Sequence, residues 1–218
     1  MPSHEFPLGA PAERKLEWGV AGTPLAGEST SGDLYVVQEF PGGVLVAVID
    51  ALGHGPEAAQ AARLAADTLE RHAAEDPQDL LLRCNRVLRG TRGVVMTLAS
   101  IAWEENTMTW IGVGDVAGVL ITNDRPGTAG RLETMLLTRG GIIGAGEEPS
   151  ARPWVIPLAG GDVVIMATDG IRRDFASRRP AVGAPQEMAE ELLDAYQKGT
   201  DDALVLVARY PEDGGTAE

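Results

Sequence analysis

Aspartate residues stand at the ends of several apolar, strand-like runs of this sequence. Asp50 and Asp169 each directly follow one of the two most apolar runs, whereas Asp33 and the pair Asp201 and Asp202 come before such runs. In an antiparallel pair the end of one strand lies beside the start of its neighbour. We therefore expect these acids to converge on one edge of a sheet.

A turn dipeptide, Pro41-Gly42, allows two of the acids to be placed by counting. A two-residue hairpin loop there pairs residues whose numbers sum to 83, a condition that Asp33 and Asp50 meet. Two like charges facing each other at about 5 Å destabilise a sheet, and a bound cation would reverse that interaction. The absence of a histidine or cysteine cluster argues against structural zinc, so hard divalent ions with oxygen ligands suit the site.

Each of these acids also has an ordinary structural explanation when it is taken alone. Aspartate is common at turns, where its side chain hydrogen-bonds the nearby backbone. Four positions at strand edges, with one acid after each of the two most apolar strands, favour a common site over four separate turns.

The elements that would position these acids are many short strands and a few grouped helices. The first helix begins at Pro56, the second follows the Asp76-Pro77 break and ends near Gly90, and a third covers residues 186–198. Hairpin-length gaps between the strands predict an α+β fold with two stacked antiparallel β-sheets flanked by helices. The predicted strands are residues 16–21, 34–38, 44–49, 94–103, 108–113, 116–122, 132–138, 154–158, 163–168 and 204–210.

The composition limits the partners and the compartment. A formal net charge of -14 over 218 residues argues against binding to nucleic acid or to a membrane surface, which need a basic face. The one cysteine, Cys84, lies on the apolar side of the predicted second helix, which favours a core residue over a nucleophile. A single cysteine also fits a reducing, cytoplasmic compartment. We expect a flexible leader at 1–15, one domain at 16–210 and a disordered tail at 211–218.

Five short motifs, in this order and spacing, resemble the signature of the metal-dependent protein phosphatases, the PPM or protein phosphatase 2C group. The resemblance is to the SpoIIE-like branch of that family, and within it to the small RsbX-type phosphatases of the stressosome, and it covers residues 18–209. The motifs are Ser31-Gly32-Asp33, Asp50-Ala51-Leu52-Gly53-His54-Gly55, Gly112-Val113-Gly114-Asp115, Ala167-Thr168-Asp169-Gly170 and Asp201-Asp202-Ala203.

The resemblance implies a set of metal ligands for two Mn²⁺ or Mg²⁺ ions. Asp50 would bridge the two metals, and the carbonyl of Ala51 would contribute to one of them. Asp169 and Asp201 would hold the second metal, and Asp33 would be a ligand directly or through water. These acids would thus be the catalytic residues.

The resemblance also implies an αββα sandwich and a reaction. A water activated by the two metals would attack a phosphoserine or phosphothreonine in line, without a covalent phosphoenzyme. The substrate would be a phosphorylated protein, and the RsbX-type relatives imply a STAS-domain regulator of a partner-switching or stressosome pathway.

Three positions depart from the family pattern. Ala51 and Asp115 replace the usual glycine and asparagine, and Leu52 stands where eukaryotic relatives carry a proposed general-acid histidine. His54 follows two residues later, and we expect it to shape the turn rather than to donate a proton. Ala51 and Asp115 leave open a degenerate phosphatase fold that binds a phosphoprotein without turnover. A different two-metal hydrolase, such as a phosphodiesterase, is a further alternative.

Several arginines are candidates for contact with the substrate. If the second helix runs back to the acidic edge, Arg92 emerges there and could bind the phosphate through a bidentate contact. Arg172 and Arg173 closely follow Asp169 and, with Arg178 and Arg179, form the densest basic cluster, which could dock an acidic phosphoprotein. Such charges are also typical of solvated surface.

Overall fold

The computed structural model describes residues 14–122, 132–177 and 183–212. These residues form ten strands, three α-helices and one short 3₁₀ helix at Arg173–Ser177. The strands are β1 (Glu17–Thr23), β2 (Asp33–Phe40), β3 (Gly43–Ala51), β4 (Val94–Ala102), β5 (Thr107–Val113), β6 (Ala117–Thr122), β7 (Leu132–Leu136), β8 (Trp154–Pro157), β9 (Val163–Ala167) and β10 (Ala203–Arg209), and the helices are α1 (Pro56–Arg71), α2 (Pro77–Val87) and α3 (Pro185–Tyr196). All ten strands were predicted, and their ends differ by a few residues.

Two five-stranded antiparallel sheets are stacked face to face. The first sheet has the order β2-β3-β4-β5-β8, and the second has the order β1-β10-β9-β6-β7. Helices α1 and α2 pack on the outer face of the first sheet, and α3 packs on the outer face of the second. This arrangement confirms the predicted α+β sandwich of two antiparallel sheets flanked by helices.

Strand β3 shows why its sequence is apolar at almost every position. Val44, Val46 and Val48 face the second sheet, because successive side chains of a strand point to opposite faces. Leu45 and Ile49 point the other way and pack against α1 and α2. Both faces are covered, so the strand has no polar side until Asp50 at its end.

The helix pair α1 and α2 connects the end of β3 to the start of β4, which lie side by side at one edge of the first sheet. Helix α1 begins after Gly55, whose φ of 80° favours glycine, and Pro56 occupies its first turn. Helix α2 is capped by Asp76, whose carboxylate accepts the backbone N–H of Gln78 at 2.8 Å. The buried side of α2 includes Cys84, as predicted, and burial raises the pKa of its thiol to about 12. Among the residues described, no helix combines the length and the apolar composition needed to cross a bilayer.

Candidate active site

The hairpin β2–β3 brings the first two acids together. Its register pairs Phe40 with Gly43 next to the turn and Asp33 with Asp50 at the open end, as the count around Pro41-Gly42 predicts. The two acids therefore lie on directly neighbouring antiparallel strands.

Asp33 is the more deeply buried of the two acids, with 5% of its surface exposed. The hydroxyl of Thr168 donates a 2.7 Å hydrogen bond to its Oδ2 and thereby links the hairpin to the end of β9 in the other sheet. Burial, and then the nearby charge of Asp50, raise the pKa of Asp33 to about 8, although the bond from Thr168 acts in the opposite direction.

The other acids line an open cleft of about 200 Å³ at the ends of the strands. Asp115 follows β5, Asp169 follows β9 and Asp201 precedes β10, so three connections meet the end of β3 here. The cleft is lined by Asp50, Ala51, Leu52, Gly53, Val95, Asp115, Asp169 and Asp201. Asp33 is not among the lining residues and contacts Thr168 instead.

The negative charges of the cleft repel one another. Burial, followed by the charges of Asp169, Asp115 and Asp201, raises the pKa of Asp50 to about 7, while a hydrogen bond from the backbone of Asp169 lowers it. Burial and the same acidic neighbours, Asp115 first, also raise the pKa of Asp169. These carboxylates would gain from a cation placed between them.

The carboxylates do not form a closed ligand cage as they stand. In the part of the chain that the structure describes, no three acidic, histidine or cysteine side chains converge closely enough to hold a metal ion. The acids instead line one open space, and their mutual repulsion is a physical reason for them to stay apart.

The neighbours Asp201 and Asp202 have different environments. Asp201 lines the cleft, whereas Asp202 is buried and binds the backbone of the β1–β2 connection. Its Oδ1 accepts the N–H of Leu25 and its Oδ2 accepts the N–H of Gly32, both at 2.7 Å. Asp202 therefore holds in place the residue before Asp33, a role that no sequence pattern indicated.

The backbone at Ala51 is unstrained. Ala51 is the last residue of β3, pairs with Val94 and donates its N–H to the carbonyl of Gly32 at 3.1 Å. Among the described residues Asn106 is the one non-glycine with a positive φ, and the positive angles near the cleft fall on glycines such as Gly53, Gly93 and Gly114. Alanine in place of the usual glycine thus carries no conformational penalty here.

His54 contacts Glu28 and is not among the residues that line the cleft. Its Nδ1 lies 2.8 Å from Oε1 of Glu28, so it connects the start of α1 to the β1–β2 connection. This contact agrees with the prediction that His54 shapes the turn. Leu52 itself lines the cleft, and no histidine is among the lining residues.

The basic residues divide into those near the cleft and those that pack elsewhere. Arg172 stacks on the ring of Tyr196 and donates to the carbonyl of Ala195, so its guanidinium is bound to the end of α3. Arg173 lies near enough to Asp169 for its charge to lower the pKa of that carboxyl. The predicted roles of Arg92, Arg172 and Arg173 in binding phosphate stay predictions, and Arg178 and Arg179 lie outside the described residues.

Lys198 is a basic residue of the site that sequence reasoning missed. Its ammonium group donates to the backbone carbonyl of Asp169, and its charge lowers the pKa of the Asp169 carboxyl. Its backbone N–H donates to the carbonyl of Gly170 at 2.9 Å. The one sequence signal was its position three residues before Asp201.

Comparisons with known proteins give one family and one fold. The sequence profile of the family described as Stage II sporulation protein E (SpoIIE) matches residues 41–211. The phosphoserine phosphatase RsbX of Bacillus subtilis (strain 168) is 30% identical over 94 residues, which are 43% of this chain and 47% of that protein. The match thus spans about half the length of this curated relative.

Solved structures match over most of the chain. A chain from work on the bacterial stressosome, a modular system adapted to control secondary messenger signalling, is 28% identical with a TM-score of 0.78, covering 89% of this chain and all 100% of its own. RsbX in complex with magnesium is 23% identical with a TM-score of 0.78, over 92% of this chain and 98% of that one. The PP2C phosphatase domain of SpoIIE from Bacillus subtilis is 22% identical with a TM-score of 0.71, over 92% of this chain and 65% of that one. The last two likenesses confirm the predicted phosphatase-like sandwich as a fold.

Proposed function

The chain belongs to the SpoIIE family and has the fold of the protein phosphatase 2C domains, and from this premise we propose that it is a metal-dependent phosphoserine/phosphothreonine protein phosphatase. One observation carries the proposal. Asp50 at the end of β3 and Asp115, Asp169 and Asp201 from three separate connections line a single open cleft. An acidic cleft repels a phosphate unless cations are bound there, so the site is suited to metal-assisted hydrolysis.

The donor set fits two Mn²⁺ or Mg²⁺ ions. Carboxylate and carbonyl oxygens are the ligands that such hard cations prefer. Burial first, and then repulsion by neighbouring acids, raise the pKa of Asp50, and a bound cation would offset both effects. In our proposal Asp50 and the carbonyl of Ala51 would hold one ion, Asp169 and Asp201 would hold the second together with Asp50, and Asp33 would be a ligand directly or through water. Bound ions would neutralise phosphate charge and activate a water for in-line attack.

Residues of the chain would orient the metal-binding acids, and the proposed reaction needs no covalent intermediate. The Thr168 hydroxyl directs Oδ2 of Asp33, and the ammonium group of Lys198 holds the peptide of Asp169. Cys84 is buried in the helix layer with a raised pKa, which speaks against a thiolate nucleophile.

For the substrate we propose a phosphorylated regulatory protein, and among these a STAS-domain regulator of a partner-switching or stressosome pathway. The likeness to RsbX and to a stressosome chain supports this choice. The net charge of -14 speaks against nucleic acid and anionic lipid as partners. The cytoplasmic location predicted from the single cysteine stays a prediction.

Phosphate release from a phosphoserine-containing STAS protein tests the proposal. We expect release with Mn²⁺ or Mg²⁺, no release with chelator, and no cleavage of a bis-ester. Cleavage of the bis-ester would favour a phosphodiesterase, and binding of the phosphoprotein without turnover would favour a degenerate module. Ala51 was one of two departures from the family pattern that suggested a degenerate fold. Because its backbone is unstrained, it no longer supports that alternative.

A further inference from the structure

The side chain of Arg92 reaches the wall of the acidic cleft from the loop between α2 and β4. The backbone N–H of Leu52, a lining residue, donates to the carbonyl of Gly93 at 3.2 Å, so this loop is attached at the cleft. A Cβ on Gly53, which also lines the cleft, would lie 2.6 Å from Nη1 of Arg92. The guanidinium therefore packs directly against a glycine of the cleft wall.

Glu57, in the first turn of α1, holds one edge of that guanidinium. Its Oε2 accepts the N–H of Nε at 2.8 Å and lies 2.8 Å from Nη2. An arginine presents five N–H donors in a rigid planar fork, and this contact occupies the edge formed by Nε and Nη2. Within the described residues Nη1 has no hydrogen-bond acceptor, so the edge formed by Nη1 and Nη2 keeps donors available beside Gly53.

We propose that Glu57 is a positioning residue, which orients Arg92 so that its Nη1 and Nη2 edge makes a bidentate contact with the phosphate of a phosphomonoester substrate. The inference rests on the proposed phosphatase function. The planar fork of arginine matches two oxygens of a phosphate group, and the contact depends on how the fork is oriented. Because Glu57 takes one edge and the phosphate would take another, the two acceptors need not compete.

Because the Arg92–Glu57 pair is exposed, its effect on phosphate binding can be measured without a large effect on stability. The side chains of Arg92 and Glu57 are 45% and 74% exposed, and exposed ion pairs contribute little to folding. An arginine side chain released from its partner regains rotamer freedom, which must be lost again when phosphate binds. Removal of Glu57 should therefore weaken phosphate binding while the protein stays folded.

A double-mutant cycle on the full chain tests this role. The measurements are kcat and KM for para-nitrophenyl phosphate with Mn²⁺, and the inhibition constant of inorganic phosphate. We expect Arg92→Ala to raise KM and the inhibition constant by about 10-fold or more, and Glu57→Ala to raise both by about 3- to 10-fold with kcat within about twofold. In the Arg92→Ala background, Glu57→Ala should have no further effect. With Arg92 present, Glu57→Gln can still accept from Nε, so its loss should be smaller than that of Glu57→Ala.

The chain offers a matched control in a second pair of the same kind. Glu75 accepts Nε and Nη2 of Arg83 at 3.0 and 2.7 Å, just before the start of α2 and away from the cleft residues. Glu75→Ala should leave KM and the inhibition constant unchanged. Thermal unfolding of every variant checks that each one is folded.

Three results would overturn the inference while the proposed function stands. These are wild-type constants in Glu57→Ala, an additive loss in the Arg92→Ala background, and tighter phosphate binding without Glu57, which would mean that the carboxylate competes with phosphate. If the wild-type chain releases no phosphate from any phosphomonoester, the proposed function fails instead. Calorimetry of phosphate binding to the Mn²⁺-loaded variants then still decides the role of Glu57.

Discussion

Asp50 in the cleft and Asp33 beside it show that residues suited to the chemistry can destabilise the fold. The carboxyls of Asp33 and Asp50 are largely buried beside further acids, and the pKa values of both are raised, to about 8 and about 7. An unpaired buried charge destabilises the folded state unless a proton or a cation neutralises it. The acids that would serve the reaction therefore lower the stability of the metal-free folded state.

Substitution of Asp50 should have opposite effects on activity and on stability. Asp50→Asn removes one proposed ligand and one of the repelling charges, so activity should fall by about 100-fold or more. The metal-free protein should become more stable by about 1 to 2 kcal/mol at pH 8. Turnover with Mn²⁺ and thermal unfolding in chelator measure the two effects. Near wild-type turnover would contradict the two-metal interpretation.

The pKa values of these two acids also predict how stability depends on pH. Both pKa values are higher in the folded state than the ordinary value of 3.8, so between about pH 4 and pH 8 the folded state binds more protons than the unfolded state. The stability that the two protonated acids contribute is fully present below pH 4 and is lost as the pH rises through about 7 and 8. Each proton adds a slope of up to about 1.4 kcal/mol per pH unit.

Denaturant unfolding of the metal-free protein between pH 5 and pH 8.5 measures that slope. Saturating Mg²⁺ should weaken or reverse it, because the ion binds the ionised carboxylates. A metal-free stability that rises across this range would contradict the burial of these two charges. The Asp50→Asn variant is the control, since it should show a smaller slope.

At the scale of the elements, the connections between strands hold the site together. The carboxylate of Asp202, before β10, binds the backbone of Leu25 and Gly32, and the Thr168 hydroxyl, after β9, binds Asp33 at the start of β2. The second sheet thus orients an acid that belongs to the first. The two sheets must be packed together before the site exists.

Substitutions of the neighbouring acids Asp201 and Asp202 should have different effects, one on activity and the other on stability. Asp202→Ala removes the acceptor of one buried and one partly buried backbone N–H group, which should lower the free energy of unfolding by about 2 to 4 kcal/mol. Asp201→Ala should leave stability within about 0.5 kcal/mol or raise it, but should abolish metal-dependent turnover. Chemical denaturation and phosphate release are measured on both variants. The same effect of both substitutions on stability would contradict the separate roles.

Much of the fold could be predicted from local patterns. The hairpin β2–β3 followed from one turn dipeptide, and the start of α1 followed from Pro56. The pairing of Asp33 with Asp50 was therefore correct to the residue. The 3₁₀ helix at Arg173–Ser177 was not predicted, because short turns carry no periodic signal.

For the whole molecule, the excess of acidic residues makes the few cations around the cleft important. A net charge of -14 repels an acidic phosphoprotein, and local positive charge is needed to steer it toward the acids. Arg173 and Lys198 lie near Asp169, on the side of the cleft formed by the second sheet. Arg172 belongs to the same sequence cluster but is bound to α3.

Neutralising the basic cluster should distinguish protein substrates from small ones. Replacing Arg172, Arg173, Arg178 and Arg179 together with glutamine should slow association with an acidic phosphoprotein and weaken its dependence on ionic strength, since steering is screened over about 8 Å at physiological salt. Hydrolysis of para-nitrophenyl phosphate should hardly change. Stopped-flow association at several salt concentrations measures the effect, and neutralisation of Arg63 and Arg71 on α1 is the control. Equal loss on both substrates would mean that the cluster supports the acidic site itself.

The sequence by itself determined which acids end and begin the strands, the register of the first hairpin and the α+β class. These features depend on alternation, turn residues and helical spacing, which act over a few neighbouring residues. Only the tertiary structure decided that Asp201 faces the cleft while Asp202 binds backbone, that Glu57 holds Arg92, and that Lys198 reaches Asp169. Each of these contacts joins groups that are far apart in sequence, so the local patterns of alternation, turns and helical spacing carry no information about it.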